Sequence, residues 1–245
     1  MKSTGFKMLF AAGVLVFLGG CAQEQSVKQQ LWKFDSLDSV SGLPAKPPGN
    51  RQPPANLQVL GNPQVIESAY GKAVAFDGDG DRLLVPNNPL DGATEFTIEI
   101  IFKPADVFPD DWEPRFFHIE APDNPNRRVT IELRLNDQKQ WYLDTYIKSE
   151  LSQSVLIDDS LVHPVEQWAH AAITYKDRQF AAYVNGKKEL ESDVDYLPIA
   201  ADGLTSIGAR MNQVHWFNGA ILAARITHEK IAPEEFLQLK DFAEN

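Results

Sequence analysis

The chain has 245 residues, and its 34 Asp and Glu against 23 Lys and Arg give a formal net charge of −11. Hydrophobic residues at 43% and charged residues at 23% exclude a wholly disordered chain, and the acidic excess disfavours nucleic acid as a partner. The single cysteine excludes an internal disulfide and a zinc site built from several cysteines.

The first twenty residues have the pattern of a secretory signal. Lys2 and Lys7 precede an apolar run over 9–18, which is shorter than the ~20 residues that a membrane-spanning helix requires. The run ends in Leu-Gly-Gly followed by Cys21, which resembles the lipobox of bacterial lipoproteins. The resemblance implies a signal peptide over 1–20, and a lipidated Cys21 with a polar tether over 21–30. It places the protein in the bacterial cell envelope, in the outer membrane if the organism is Gram-negative. An ordinary cleaved signal with an incidental cysteine is the alternative.

The chain after this segment alternates with period two, which is typical of β-strands. Alternate residues from Phe96 to Phe102 share an apolar face that predicts a core side, and Glu99 falls on the opposite, outward side. Asn185-Gly186 indicates a tight hairpin. The sequence predicts strands at 31–35, 72–77, 82–85, 96–103, 115–120, 129–136, 140–148, 168–175, 179–185, 204–208 and 216–227.

These strands predict an all-β fold, a two-sheet antiparallel sandwich with one short C-terminal helix at 233–240. The five prolines of 42–56 exclude a central strand and indicate a long surface loop within one domain. We therefore predict a single domain over 31–240, followed by a tail over 241–245. The expected core includes Trp32, Trp141 and Trp168.

Several segments follow one another in a recognisable order. They are Leu31-Trp-Lys-Phe-Asp35, Gly71-Lys-Ala-Val-Ala-Phe-Asp-Gly78, Phe96-Thr-Ile-Glu99, Trp168-Ala-His-Ala-Ala-Ile-Thr-Tyr175 with Tyr183-Val-Asn-Gly-Lys187, and Phe217-Asn-Gly-Ala-Ile221. Together they resemble the laminin-G-like jelly roll of the concanavalin A-like lectin/glucanase superfamily. The resemblance implies a jelly-roll domain that could serve a lectin, a carbohydrate-binding module, an adhesion protein, a glycosidase or a polysaccharide lyase. Function must therefore be argued from a site.

An acidic turn offers a weak metal site. Asp77, Asp79 and Asp81 supply carboxylates from one loop, the ligand type that calcium prefers. The run departs from an EF-hand loop, because Arg82 stands at its sixth position and Asn88 at its twelfth. We expect a hairpin turn in which Asp81 caps backbone amides, with no cofactor, and calcium stays open as the alternative.

Polar and aromatic side chains on the middle strands predict a ligand-binding face. Aromatic rings pack on the apolar faces of sugars, while carboxylates and arginine bond the hydroxyl groups. An ordinary solvated sheet face with cross-strand charge pairs is the alternative. The predicted binding residues on this face are Glu120, Glu132, Arg134, Tyr142, Asp144 and Tyr146.

A second set of predicted binding residues precedes the last strand: Arg210, Asn212, His215 and Trp216. Trp216 is either a platform for a sugar or a core residue. Trp112 is expected at the tip of an acidic loop, and exposed loop aromatics more often mark binding than packing.

The sequence predicts a lipid-anchored, non-catalytic module that binds carbohydrate or a cell-surface partner. That partner is a polysaccharide or an envelope or surface protein. The negative charge favours neutral glycans, unless Arg115, Arg127, Arg128 and Arg134 cluster on the groove that this ligand-binding face of the sheet would form. A structural envelope protein that binds another protein is one alternative.

A polysaccharide-degrading lyase or glycosidase acting in the groove is the other alternative. The laminarinase-type E-x-D-x-x-E pattern is absent, and the alginate-lyase strand is only partly matched by Thr130-Ile-Glu-Leu-Arg134. If the protein is an enzyme, the predicted catalytic residues are His118, His170, Tyr142, Tyr146, Arg134 and Glu132.

Overall fold

The structure is a computed structural model that describes residues 28–40, 57–106 and 113–243. The predicted signal segment, Cys21, the 42–56 loop and Trp112 lie outside the described residues. Within the described ranges, no helix is long and apolar enough to cross a membrane.

Sixteen strands make up most of the described chain. Their bounds are β1 Gln29–Lys33, β2 Gln58–Leu60, β3 Gln64–Ser68, β4 Gly71–Asp77, β5 Arg82–Val85, β6 Phe96–Pro104, β7 Arg115–Ala121, β8 Asn124–Leu135, β9 Gln140–Lys148, β10 Gln153–Ile157, β11 His163–Pro164, β12 Ala169–Lys176, β13 Gln179–Val184, β14 Lys187–Asp193, β15 Leu204–Ile207 and β16 Asn218–Thr227. The helix predicted at 233–240 takes the form of two short 3-10 turns, Pro233–Glu235 and Leu239–Phe242.

The strands form two antiparallel sheets of eight strands each. The first sheet has the order β14-β13-β12-β6-β16-β4-β3, and β1 also pairs with β16. The second sheet has the order β10-β9-β8-β7-β15-β5-β2, and β11 also pairs with β9. The predicted all-β, two-sheet antiparallel jelly-roll sandwich is therefore confirmed.

The core lies between the sheets and is rich in aromatic rings. Ile100 and Phe102 of β6 are fully buried, as their alternation predicts. Phe102 stacks on Phe116 at 4.5 Å between ring centroids and meets the edge of Trp141 at 5.2 Å. Trp32 is also fully buried in this core. Burial of such side chains contributes ~1.5–3 kcal/mol each, so this layer is the main source of the fold's stability.

The C-terminal segment covers the outer face of the first sheet. Leu237 joins a second apolar cluster there, on the far side of the sheet from the main core. Trp168 belongs to the same outer cluster, where it is half-buried against Tyr70. The prediction that Trp168 lies in the main core is therefore wrong, because Trp168 precedes β12 and faces outward from it.

Glu99 is fully buried beneath this segment, which corrects the expectation of a solvent-facing carboxylate. It accepts hydrogen bonds from the backbone N–H of Leu237 at 2.6 Å and from Arg225 Nε at 2.5 Å. His170 Nε2 lies 3.1 Å from the same carboxylate. Alternation places Glu99 on the outward face correctly, but the chain's own C-terminal segment covers that face.

The hairpin predicted at Asn185-Gly186 is confirmed between β13 and β14. Asn185 and Gly186 have positive φ angles of 50° and 78°, which a two-residue turn of this kind requires.

Candidate functional site

The outward face of the second sheet brings polar side chains into rows across β7, β8 and β9. Arg115, Glu132 and Asp144 are successive register partners. Thr130 stands between His118 and Tyr146 in the next such row. Side chains opposite each other on neighbouring antiparallel strands lie ~5 Å apart at Cβ, so each row forms one contiguous surface.

A bulge in β7 places Arg115 on this face. Residues three apart on a regular strand point to opposite faces, yet Arg115 and His118 both face outward. The register shifts between Arg115 and Phe117, and both Phe116 and Phe117 are buried in the core. The extra residue therefore reverses the direction of Arg115 and adds it to the site.

These rows form the centre of an open, solvent-accessible cavity of about 190 Å³, which we call the arginine cavity. Its lining includes five of the predicted binding residues, which are Glu132, Arg134, Asp144, Tyr146 and Arg210, and five others, which are Arg115, His118, Arg128, Thr130 and Val155.

Ion pairs hold the two carboxylates of the cavity. Arg115 Nε bonds Glu132 Oε1 at 2.8 Å, and Arg134 Nε bonds Asp144 Oδ2 at 2.7 Å. Arg134 also pairs with Glu113. Burial and then the neighbouring charge of Asp144 raise the pKa of Glu132 to about 7, although Arg115 opposes the rise. Glu132 therefore changes its charge near neutral pH.

His118 is fully buried and its ring tautomer is fixed by its partners. Nδ1 accepts a hydrogen bond from the backbone N–H of Met211 at 3.3 Å, so Nε2 carries the proton and donates to Glu120 Oε2 at 3.0 Å. Burial lowers the pKa of His118, which keeps the ring neutral. With both nitrogens engaged, His118 holds the site together and is poorly placed to take a proton from a substrate.

The loop between β15 and β16 carries Arg210 to the cavity wall. Besides His118, Arg82 anchors this loop by donating from Nη1 to the carbonyl oxygen of Met211 at 3.2 Å. Asn212 is exposed, and His215 and Trp216 are half-buried, all on the same loop but outside the cavity lining. Of the four rim residues predicted to bind ligand, the structure thus brings only Arg210 into the cavity.

Tyr146 supplies the aromatic surface of the cavity. The guanidinium of Arg128 lies 4.9 Å from the centre of the Tyr146 ring. The Tyr146 hydroxyl donates a hydrogen bond to Gln153 Oε1 at 2.7 Å. Tyr142 also faces outward on β9, opposite Arg134, but it does not line the cavity. The two tyrosines predicted as equivalent therefore differ in their surroundings.

His170 is the one predicted groove residue that lies on the other sheet. It belongs to β12 of the first sheet, where it contacts Glu99 and lies 5.5 Å from the ring of Phe236. The prediction that His170 shares a groove with His118 and Arg134 is therefore wrong. Alternation gives the face of each strand, but strand order decides which sheet it joins.

The acidic turn behaves as a cap. Asp81 Oδ1 accepts from the backbone N–H of Asn62 at 2.6 Å, and Oδ2 accepts from that of Asp77 at 3.1 Å. Asp77 in turn accepts from the backbone N–H of Asp79 at 2.8 Å. Among the residues that the structure describes, no group of three or more His, Cys, Asp or Glu could hold a metal ion.

Sequence reasoning missed Thr130 and Val155 as lining residues. Thr130 lies on the outward side of β8, between His118 and Tyr146. Its side chain is short and uncharged, so the sequence pattern did not mark it as a binding residue. Val155 lies on β10, a strand at the sheet edge that was not predicted because its exposed apolar residues follow no core-facing pattern.

Solved structures with this fold come from several kinds of protein. Domain 4 of AbnA, a GH43 extracellular arabinanase from Geobacillus stearothermophilus in complex with arabinotriose, is 17% identical with a TM-score of 0.62, covering 89% of this chain and 99% of that one. The native heptameric SAP-like pentraxin from Limulus polyphemus is 15% identical with a TM-score of 0.53, covering 66% and 78%. The botulinum neurotoxin serotype D binding domain is 16% identical with a TM-score of 0.59, covering 85% and 50%. At such low sequence identities, the structural likeness shows a shared fold and nothing more.

Sequence comparison with proteins of curated function found no match. The laminin-G family model of the concanavalin A-like lectin/glucanases superfamily matches residues 77–235, which is more than half of the chain. The chain therefore belongs to the concanavalin A-like lectin/glucanases superfamily.

Proposed function

We propose that the protein is a carbohydrate-binding module that holds a glycan in the arginine cavity of its second sheet. The observation that carries the proposal is the composition of this cavity, which combines the Tyr146 ring with hydrogen-bond donors and hydrogen-bond acceptors. Sugars present apolar ring faces and hydroxyl groups together, so they need such a mixture. The likeness to an arabinanase domain in complex with arabinotriose supports the same assignment.

The size of the cavity suits a short ligand. Its volume of about 190 Å³ is below the ~300–1,000 Å³ of sites for drug-sized molecules, and accommodates about one sugar residue. Neighbouring sugars of a longer chain would extend over the exposed side of the sheet towards Val155, which is 51% exposed. The module would thus recognise one residue within a polysaccharide.

Two tyrosines on β9 provide a matched test. The full-length chain, solubilised in detergent, is screened on a glycan array, and the best ligand is titrated by calorimetry. Tyr146→Ala should weaken binding at least tenfold, whereas Tyr142→Ala, outside the cavity, should change the affinity less than threefold. Equal losses in the two variants, or an array without any bound glycan, would contradict the proposal.

We also propose that Cys21 carries a lipid anchor that holds the module at the bacterial cell envelope. The support is the sequence alone: a basic start, a short apolar run and a lipobox-like end at the only cysteine. Two or more acyl chains suffice for stable membrane attachment. The short polar stretch between Cys21 and strand β1, which begins at Gln29, would keep the cavity near the membrane surface.

One observation favours an enzyme as the second function. Glu132 and Asp144 are register partners, and the pKa of Glu132 lies at about 7, a value suited to a general acid or base. Incubating each array-positive polysaccharide with the chain, and measuring both new reducing ends and unsaturated uronates, distinguishes the two functions. Product formation that is lost in Glu132→Gln would replace the binding module by an enzyme. If neither glycan binding nor product appears, and envelope pull-downs capture a protein, the structural alternative stands.

A further inference from the structure

The arginine cavity departs from the charge of the chain around it. The whole sequence carries a formal charge of −11, yet four arginines line this one cavity against two carboxylates. Three of the four, Arg115, Arg128 and Arg134, belong to the set whose clustering would favour an acidic ligand. The fourth is Arg210, while Arg127 lies apart and pairs with Glu150.

The arginines are unequally compensated. Arg134 is bonded to Asp144 and to Glu113, so its charge is satisfied. Arg115 uses Nε for Glu132, but its buried Nη1 has no hydrogen-bond partner. Arg128 packs on the ring of Tyr146 and donates from Nη1 to the carbonyl oxygen of Pro125, but its guanidinium forms no ion pair within the described residues. Hydrogen-bond donors are thus left over at one end of the cavity.

Arg210 has the most capacity for a ligand. Within 28–40, 57–106 and 113–243, its guanidinium makes no hydrogen bond or ion pair of its own. Burial, and then the like charges of Arg115 and Arg128, lower the pKa of Arg210. Glu132 and then Glu120 offset part of this repulsion, but Glu132 is already paired with Arg115 and Glu120 is already hydrogen-bonded to His118. An incoming anion would relieve the mutual repulsion of the three arginines.

A second, independent observation is the side chain of Thr130. It is 1% exposed in the cavity wall, and its hydroxyl has no hydrogen-bond partner. Buried polar groups are nearly always bonded, and an orphaned one costs ~1–3 kcal/mol. The Thr130 hydroxyl without a hydrogen-bond partner lies in the same cavity as guanidinium groups with unused donors. We infer that a polar group of a ligand bonds to this part of the cavity.

We propose that the cavity binds the acidic group of a glycan, with Arg210, Arg128 and Arg115 facing a carboxylate or sulfate on one sugar residue. Arginine suits this task because its planar fork donates two parallel hydrogen bonds to such anions. The inference rests on the proposed carbohydrate-binding function and specifies its ligand. It replaces neutral glycans, which the net charge alone favours, by acidic ones.

The experiment compares each acidic glycan with its own neutral form. The full-length chain is applied to an array of uronic-acid, sialic-acid and sulfated glycans, beside the methyl esters of the first two and the desulfated forms of the third. We expect binding at least tenfold tighter to the acidic member of a pair, weakening as NaCl rises. The carboxylate and sulfate pairs identify the source of the anion.

Arg210→Gln and Arg127→Gln form the matched variants. Arg210→Gln should lose at least tenfold in affinity for the acidic glycan while leaving the melting temperature close to that of the parent chain. Arg127→Gln removes an equal charge outside the cavity and should lose less than threefold. If neutral glycans bind as well as acidic ones, this inference fails and the carbohydrate-binding proposal survives. If no glycan of either kind binds, both fail.

Discussion

The Nδ1 atom of His118 accepts a hydrogen bond from the backbone N–H of Met211 at 3.3 Å, across 93 positions of sequence. This contact joins the floor of the arginine cavity to the loop that carries Arg210. Because the other ring nitrogen donates to Glu120, a single buried histidine holds the loop and orients the carboxylate. His118 thereby positions Arg210, and neither of its ring nitrogens is free to bond a ligand.

We predict that His118→Ala destabilises the protein by about 1–3 kcal/mol, because Glu120 and the Met211 amide each lose a buried partner. The affinity for the array-selected glycan should also fall, since the Arg210 loop loses its anchor. Urea unfolding and calorimetry measure the two effects. Glu120→Gln is the control, because its amide oxygen can still accept from His118. A His118→Ala protein with unchanged stability would show that this hydrogen-bond chain is unimportant.

Glu99 is predicted to fasten the C-terminal segment to the first sheet. Glu99→Ala leaves Arg225, His170 and the Leu237 amide without their shared acceptor, and should cost about 3 kcal/mol of unfolding free energy. Urea denaturation provides the measurement. Glu191→Ala, which removes an exposed carboxylate on β14, should leave the midpoint unchanged. Similar midpoints for both variants would mean that Glu99 is not the fastener.

Stability should fall as pH rises from about 4.5 to about 7, because of Glu132. Its folded-state pKa of about 7 lies above the ordinary 4.5, so folding favours the protonated carboxyl. That preference is fully present below about pH 4.5 and is lost as pH approaches 7, with a total of about 3 kcal/mol. Glu132→Gln should remove this part of the pH dependence and be more stable than the parent chain at pH 8. Parallel pH profiles for the two proteins would contradict the assignment.

The lipid anchor has a direct test in cells. When cells that express the protein are grown with a labelled fatty acid, the protein should incorporate the label and fractionate with membranes, because Cys21 would be acylated. Cys21→Ser should abolish labelling. Labelling that persists in Cys21→Ser, or its absence from the parent chain, would overturn the anchor.

Strand alternation predicted the fold well where one face of a strand is apolar. Strands β5 and β9 have the bounds expected from the sequence, and the alternation of β6 gives its core face correctly. The short β2, β3 and β11 and the edge strand β10 were missed, because their residues are largely exposed and carry no such pattern. Apolar and polar residues alternate along a strand because one of its faces is buried. At the edge of a sheet this burial is incomplete, so the alternation is weak.

The site was only partly predictable, because its geometry depends on features that alternation does not encode. Glu132, Asp144 and Tyr146 were found, since regular strands place them on one face. Arg115 faces the cavity through a bulge, and His170 belongs to a strand of the other sheet. Both depend on strand pairing between distant parts of the chain. A single sequence does not state which strands are neighbours.

The location of the bound sugar is the most direct test of the proposed function. A crystal structure of the chain with its tightest array glycan should show one sugar residue in the arginine cavity, contacting Tyr146 and Arg210. Its acidic group should lie within hydrogen-bond distance of the Arg210 guanidinium. A glycan bound on the outer face of the first sheet, or on the rim beside Trp216 with the cavity empty, would contradict the proposed function.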